Sequence, residues 1–345
     1  MTDAQAAAPT PGPSKRNRLW IRIAVTLVVV GGLAYTQRAR LVGVQSAITS
    51  VSGVALLVSA ALNLLATIVL PAIVSQQALR TERLSIPLRE LIRVNFVTRF
   101  YSLVVPKGGV MAVRWHMYRK AGSGGDALAL VVFEKLAIFV VYVLAAVVFL
   151  AVERHRLGPA GDTTLVVTVG LAVTWVGLLL PFFVKSLRDP QQRFIDWIGR
   201  FAPQSIHQRL SNIGNGINAF QSLPRSCVWN IWLLSLASYV CFVLSGFVLA
   251  QGMGIELTLV SMAWIRSLMF VITLLPFTVG GLGLREVGYA TFMGFYGIST
   301  AQAVAFGLVL FFVQCSIGVL GGVFQLTGPA RQPSPARPPP TGDNG

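Results

Sequence analysis

Apolar runs of about 20 residues recur along this chain, and most of its charged residues stand in the gaps between them. A helix of that length crosses the hydrocarbon layer of a bilayer, whereas a helix on a soluble core alternates apolar and polar faces. The pattern therefore points to an all-α polytopic membrane protein and leaves no stretch able to form a separate soluble catalytic domain. Composition agrees: 54% of the 345 residues are apolar and 12% charged, against roughly 45 to 50% and about 25% in soluble domains.

Lys15, Arg16, Arg18 and Arg22 precede an apolar run that ends near Tyr35. This resembles the start of a signal peptide, but no small-residue cleavage site follows, so it is expected to remain as a first membrane helix. Further spans are expected near 53–74, 127–151, 163–184, 228–250 and 302–326, making six full transmembrane helices. Residues 1–18 and the Pro-rich stretch 327–345 are expected to be disordered tails flanking a membrane domain over 19–326.

Two apolar regions carry too much charge for lipid-facing helices. Residues 86–118 hold Arg89, Glu90, Arg93, Arg99, Lys107 and Arg114, with Pro106, Gly108 and Gly109 in their middle. Residues 258–300 begin as a span but meet Arg266, Pro276, Gly280, Gly281, Gly283, Arg285 and Glu286. Each is expected to form a broken, re-entrant helical hairpin, tolerable at membrane depth when buried in protein or lining a wet cavity.

Orientation follows from where the basic residues lie. With a cytoplasmic N-terminus, segments 1–22, 75–126, 185–227 and 329–345 hold 21 of the 28 Lys and Arg, while the outer loops 36–52 and 152–162 hold two each. The positive-inside rule thus places both termini in the cytoplasm. The two hairpins then enter from opposite faces, and the order span, span, hairpin, span occurs twice. Repeat 1 covers about 19–151 and repeat 2 about 163–326, an inverted repeat of the kind that places a transport site near the midplane. The cytoplasmic loop over 186–226 contains an amphipathic stretch at 190–222, with Phe194, Trp197, Ile198 and Phe201 on one helical face. That face packs either on the bundle or on the lipid interface.

Several chemistries are excluded. The net charge of +16 sits beside span ends, where it meets anionic lipid and fixes topology, so nucleic acid is not the expected partner. Cys227, Cys241 and Cys315 form no C-x-x-C pair, and His116, His155 and His207 are remote from one another, so no metal site or disulfide frame is expected. Gly281-x-Gly283 is followed by Glu286 where a dinucleotide fingerprint needs glycine, and no Walker or G-x-S-x-G sequence occurs. No cofactor is expected.

The chemistry that remains is cationic. Arg99, Lys107 and Arg114 on one hairpin, with Arg266 and Arg285 on the other, bring positive charge to both ends of a cavity. Guanidinium groups bind phosphate through paired hydrogen bonds, and helix ends at the Gly-Gly breaks add N–H donors. The match is to an anionic lipid headgroup; the competing reading is that these arginines only neutralise Glu134 and Glu286. Glu134 and Lys135 lie inside the span 127–151, and Lys135 is near enough to its inner end to snorkel. The glycines either turn the backbone sharply near a headgroup or let helices pack closely.

Leu275-Pro276-Phe277-Thr278-Val279-Gly280-Gly281-Leu282-Gly283-Leu284-Arg285-Glu286, followed by Tyr296-Gly297-Ile298-Ser299, resembles the signature of the lysylphosphatidylglycerol synthase transmembrane region. This is the flippase-like membrane domain of the multiple peptide resistance factor. Val105-Pro106-Lys107-Gly108-Gly109 to Arg114, Tyr118 to Gly122, and Phe133-Glu134-Lys135-Leu136 resemble its earlier, looser motif. The resemblance covers about 19–326. Where the family commonly has Glu-Arg this chain has Glu134-Lys135, which keeps the charge but loses the fork of donors. Full-length members carry an aminoacyl-transferase domain after the last span, where here a Pro-rich tail follows. The resemblance therefore implies the lipid-translocating part without the lysyl-transferring part, in a bacterial inner membrane.

The expected function is translocation or binding of a lipid with a polar, anionic headgroup; the resemblance extends the partners to phospholipid, glycolipid or hopanoid-type lipids. Two alternatives stand beside it. One is an intramembrane transferase using Glu134 or Glu286 as general base. The other is a non-catalytic subunit that holds lipid-biosynthesis enzymes through the 190–222 stretch.

Overall fold

The computed structural model describes residues 51–81, 86–103, 107–120, 127–183, 225–274 and 284–326. Among these residues the secondary structure is helical, with no strand. Helix α1 comprises Gly53–Leu64, a wider π turn at Leu65–Val69 and Leu70–Thr81. Pro71 stands just after the π turn and has no N–H to donate back into it. Helix α2 spans Leu88–Tyr101, starts after the extended Pro87, and has Glu90 in its first turn and Arg99 in its last, matching the helix dipole at both ends. Helix α3 spans Lys107–Lys120, α4 Ala127–Phe183, α5 Arg225–Gly252, α6 Leu259–Leu274, α7 Leu284–Gly294 and α8 Thr300–Leu326.

Four of these stretches contain helices long and apolar enough to cross a membrane: Gly53–Gln77, Ile138–Thr174, Arg225–Gly252 and Thr300–Gln325. The expected spans at 53–74, 228–250 and 302–326 fall within α1, α5 and α8. The first expected span, the 190–222 stretch and both tails lie outside the described residues.

The stretch α4 corrects one boundary. Residues 152–162, expected as a polar loop, are helical, and only Gly158 leaves helical geometry, at φ 59° and ψ −146°. The chain nevertheless doubles back there. Ala172 lies in one buried cluster with Phe139 and Val143, and a Cβ on Gly161 would stand 2.8 Å from the carbonyl oxygen of Arg154. Gly158 supplies the positive φ that most residues avoid, and Gly161 supplies the close approach. Charge density alone suggests a loop here, but Arg154, His155 and Arg156 are exposed on a helical turn.

Helices α2 and α3 form a hairpin in which Arg114 reaches Asn95 at 2.8 Å. Helices α6 and α7 form another, in which Arg266 reaches the Tyr289 hydroxyl at 3.2 Å. Each hairpin lies against a helix from the far half of the chain. Helix α2 runs along α8: Phe96 stacks on Phe324 with ring centroids 4.8 Å apart, and Arg93 donates to the Phe324 carbonyl at 3.2 Å. Helix α6 runs along α4. There Glu153, 4% exposed, accepts from Tyr296 at 3.0 Å and from Thr258 at 3.4 Å. Helices α1 and α5 cross antiparallel, tied by Ser59 to the Ser245 carbonyl and Ser238 to the Ala66 carbonyl, both at 2.7 Å.

The numbering of these elements has a regularity. Helix α2 begins at Leu88 and α6 at Leu259, 171 positions on; α1 ends at Thr81 and α5 at Gly252, again 171. The same interval separates Asn95 from Arg266, Arg114 from Arg285, and Tyr118 from Tyr289.

Helix α8 approaches α2 so closely that a Cβ on Gly321 would collide with the Phe96 backbone. Gly321→Val is expected to push the two helices apart and to cost several kcal/mol, of the order seen for overpacked cores. Gly170→Ala, where a Cβ meets nothing within 4 Å, is expected to leave stability unchanged or slightly raised. Thermal unfolding of the two variants in detergent checks this; equal midpoints would contradict the packing.

Candidate functional site

Between the hairpins lies a cavity of about 270 Å³, walled by α1 to α8. Arg99, Arg114, Arg266 and Arg285 all line it, two from each hairpin. Aromatic and aliphatic side chains make most of the remaining wall, including Tyr142, Phe242, Phe270 and Phe311. Tyr142 and Phe270 stack at 4.0 Å.

The arginines are held in different ways. Arg114, 5% exposed, donates to Asn95 Oδ1 at 2.8 Å and to the Tyr118 hydroxyl at 3.1 Å. Tyr118 can then donate to Ser75 at 3.1 Å, while Ser75 donates to the Pro71 carbonyl at 2.9 Å. Asn95 in turn donates from Nδ2 to the Ile68 carbonyl at 2.9 Å. The π turn of α1 supplies that acceptor, and the Ala66 carbonyl beside it takes the bond from Ser238. The break in α1 thus anchors the first hairpin through Asn95.

Arg266 is 1% exposed and lies over the Phe242 ring, 3.7 Å from its centroid. Its guanidinium donates to Tyr289 at 3.2 Å, to the Phe242 carbonyl at 3.1 Å and to Ser245 at 3.4 Å. Every one of these acceptors is neutral. Gly246 makes room for it: a Cβ there would stand 3.0 Å from both Cδ and Nε of Arg266.

Arg285 donates to Gln314 Oε1 at 3.1 Å and stands 5.2 Å from the Phe311 ring centroid. Arg99 differs from the other three. Its side chain makes no hydrogen bond or ion pair among the described residues, and Arg285 and Arg266 both act on it electrostatically. Among the described residues its Nε is buried without a hydrogen-bond partner, as is the Nε of Arg266. No Asp or Glu stands among the described residues of the wall, and no group of His, Cys, Asp and Glu among the described residues has the makings of a metal site.

The sequence-derived residues are distributed as follows. Arg99, Arg114, Arg266 and Arg285 are brought together. Glu286 follows Arg285 on α7 but does not line the cavity. Lys107, Gly108 and Gly109 open α3, and Glu134 and Lys135 lie on the first turns of α4, with their side chains outside the described residues. Pro106, Pro276, Gly280, Gly281 and Gly283 lie outside the described residues altogether. Sequence reading missed Asn95, Tyr118, Tyr289 and Gln314, the neutral groups that hold the arginines. One signal was available: Arg114-x-x-x-Tyr118 and Arg285-x-x-x-Tyr289 repeat the same spacing on the second arm of each hairpin, and four residues is one helical turn.

Compared with known families, residues 19–322 match the family model described as lysylphosphatidylglycerol synthase TM region. No curated protein matches the chain.

Removing Asn95 leaves two buried groups short of a partner, the Ile68 carbonyl and one Arg114 N–H. Asn95→Ala is expected to cost roughly 1 to 3 kcal/mol, while Thr291→Ala, exposed on α7, stays within about 0.5 kcal/mol. Chemical denaturation in detergent reads both; an unchanged midpoint for Asn95→Ala would remove the anchoring role.

Proposed function

We propose that this chain, which belongs to the lysylphosphatidylglycerol synthase TM region family, is a flippase-like protein that takes a lipid's polar, anionic headgroup into its central cavity. The acyl chains stay in the bilayer while the head crosses. The observation that carries the reading is the convergence of Arg99, Arg114, Arg266 and Arg285 on one cavity. Guanidinium clusters inside an apolar bundle are costly and mark sites for anions.

In this reading the chain has six full spans and two opposed re-entrant hairpins, arranged as two inverted repeats in the bacterial inner membrane with both termini cytoplasmic. The 171-residue interval supports it, because the interval relates helix ends and cavity residues alike. The antiparallel crossing of α1 and α5 is what two halves of opposite orientation would produce. So is the exchange in which α2 lies on α8 and α6 on α4. The Pro and Gly breaks at Pro106, Gly108, Gly109, Pro276, Gly280, Gly281 and Gly283 would shape the cavity ends. Glu134 and Glu286 would exchange ion pairs with the arginines as the head moves.

The test is leaflet assignment of fluorescent phospholipid and glycolipid analogues in proteoliposomes. Wild type is expected to translocate at least one analogue, with Arg285→Ala and Glu134→Gln each slowing it tenfold or more. A folded protein that moves no lipid in a broad panel would overturn the reading. Topology is tested apart from transport. In a background without Cys227, Cys241 and Cys315, Lys107→Cys and Thr278→Cys are expected to react with an impermeant maleimide from opposite sides. Reaction of both from one side would sink the inverted arrangement.

A further inference from the structure

The seam between α1 and α5 is polar in a part of the molecule where apolar side chains would pack as well. Ser59 and Asn63 of α1, and Ser235, Ser238 and Ser245 of α5, are all buried. Two side-chain bonds tie the seam. Ser59 donates to the Ser245 carbonyl and Ser238 to the Ala66 carbonyl, so a step of seven residues along α1 matches a step of seven back along α5. Seven residues make about two helical turns, and the two bonds together define the register of the crossing.

Two residues of the same seam are left over. Asn63 and Ser235 are both 0% exposed, and among the described residues Asn63 Nδ2, Asn63 Oδ1 and Ser235 Oγ have no hydrogen-bond partner. Such groups are costly to leave unmade, and native structures carry few of them. Their positions are regular. Asn63 precedes Ala66 by three residues and Ser235 precedes Ser238 by three, so in an antiparallel crossing they stand on opposite sides of the Ser238–Ala66 bond. Sliding α1 by three residues toward its own C-terminus, about 4.5 Å at the rise of a helix, would set Ser235 against the Ala66 carbonyl and Ser238 against Asn63. Ser59 would pass from the Ser245 carbonyl to that of Phe242. One movement thus gives both left-over residues a partner, and each side-chain bond of the seam is replaced by another.

The small residues along this face let the two backbones lie close and pass one another, and a step of about one turn between packed helices is a recognised form of two-state change. The step would reach the cavity. Asn95 of the first hairpin is bonded to the Ile68 carbonyl of α1, whereas Arg266 of the second is bonded to the Phe242 carbonyl and Ser245 of α5. A slide of α1 on α5 therefore moves one hairpin against the other, and it brings Ser59 to a carbonyl that Arg266 now uses.

We infer that α1 and α5 have two registers three residues apart, and that Asn63 and Ser235 are the polar contacts of the second. The inference goes beyond the transport reading and stands apart from it, because both registers belong to the protein without a lipid guest.

The experiment is cysteine cross-linking of the full chain in membranes, in a background without Cys227, Cys241 and Cys315. In the described register Gly252 faces Ala55, where an added Cβ would stand 2.4 Å from the Ala55 Cβ; after the slide Leu249 takes that place. Ala55→Cys with Gly252→Cys reports the first register, and Ala55→Cys with Leu249→Cys the second. Neither pair replaces a polar group of the seam. On oxidation the first pair is expected to join quickly and the second slowly. Asn63→Leu and Ser235→Ala, each added separately, are expected to slow the second pair at least fivefold and to leave the first as fast or faster. The first pair also shows that each variant is folded, and Ser235→Ala, which removes a single hydroxyl, serves if Asn63→Leu is not tolerated. Failure of the second pair to join, or joining at a rate that neither substitution alters, would overturn the inference and leave Asn63 as the holder of a buried water.

Discussion

Charge inside an apolar bundle is costly unless it is hydrogen-bonded, and four guanidinium groups meet here around one space. The described structure meets that cost with neutral groups. Arg266 is wrapped by two side-chain hydroxyls and a carbonyl and covered by the Phe242 ring, and Arg114 is held by Asn95 and Tyr118. Neutral acceptors orient a guanidinium without cancelling its charge, so the field of the arginines stays directed into the cavity. Had carboxylates played that part, the same residues would form closed ion pairs with little affinity left for a guest.

Holding charge this way places demands on the backbone. A helix carbonyl has a second lone pair, as the Phe242 and Ser245 carbonyls of α5 show, and the acceptors for Asn95 and Ser238 lie at a local widening of α1. The π turn at Leu65–Val69 provides it, and Gly246 provides room for the Arg266 stem. The π turn of α1 and the missing side chain at Gly246 of α5 thus both stand beside the arginines.

Much of this was legible in the sequence. The spans within α1, α5 and α8 followed from unbroken apolar runs, and α2, α3, α6 and α7 fall in the two stretches that charge and Pro-Gly punctuation set apart from the plain spans. The four arginines stood out because charge in such places needs a reason. The loop at 152–162 misled because charge density reads alike in a loop and at an exposed helical turn; what separates them is Gly158 and Gly161, whose roles depend on a partner arm. Asn95 and Gln314 were invisible for a different cause. A neutral polar residue in a helix reveals its role only when the group it bonds is in place, and those groups lie 19 and 29 residues away.

The pairing of α2 with α8 has a consequence for biogenesis. Phe96 waits for Phe324, which is made 228 residues later, or roughly 10 to 50 s at ordinary synthesis rates of about 5 to 20 residues per second. Through that interval Arg93, Asn95 and Arg99 sit on a helix whose final neighbour does not yet exist. A chain cut short before Phe324 would therefore leave the polar helix α2 without the neighbour that covers Phe96.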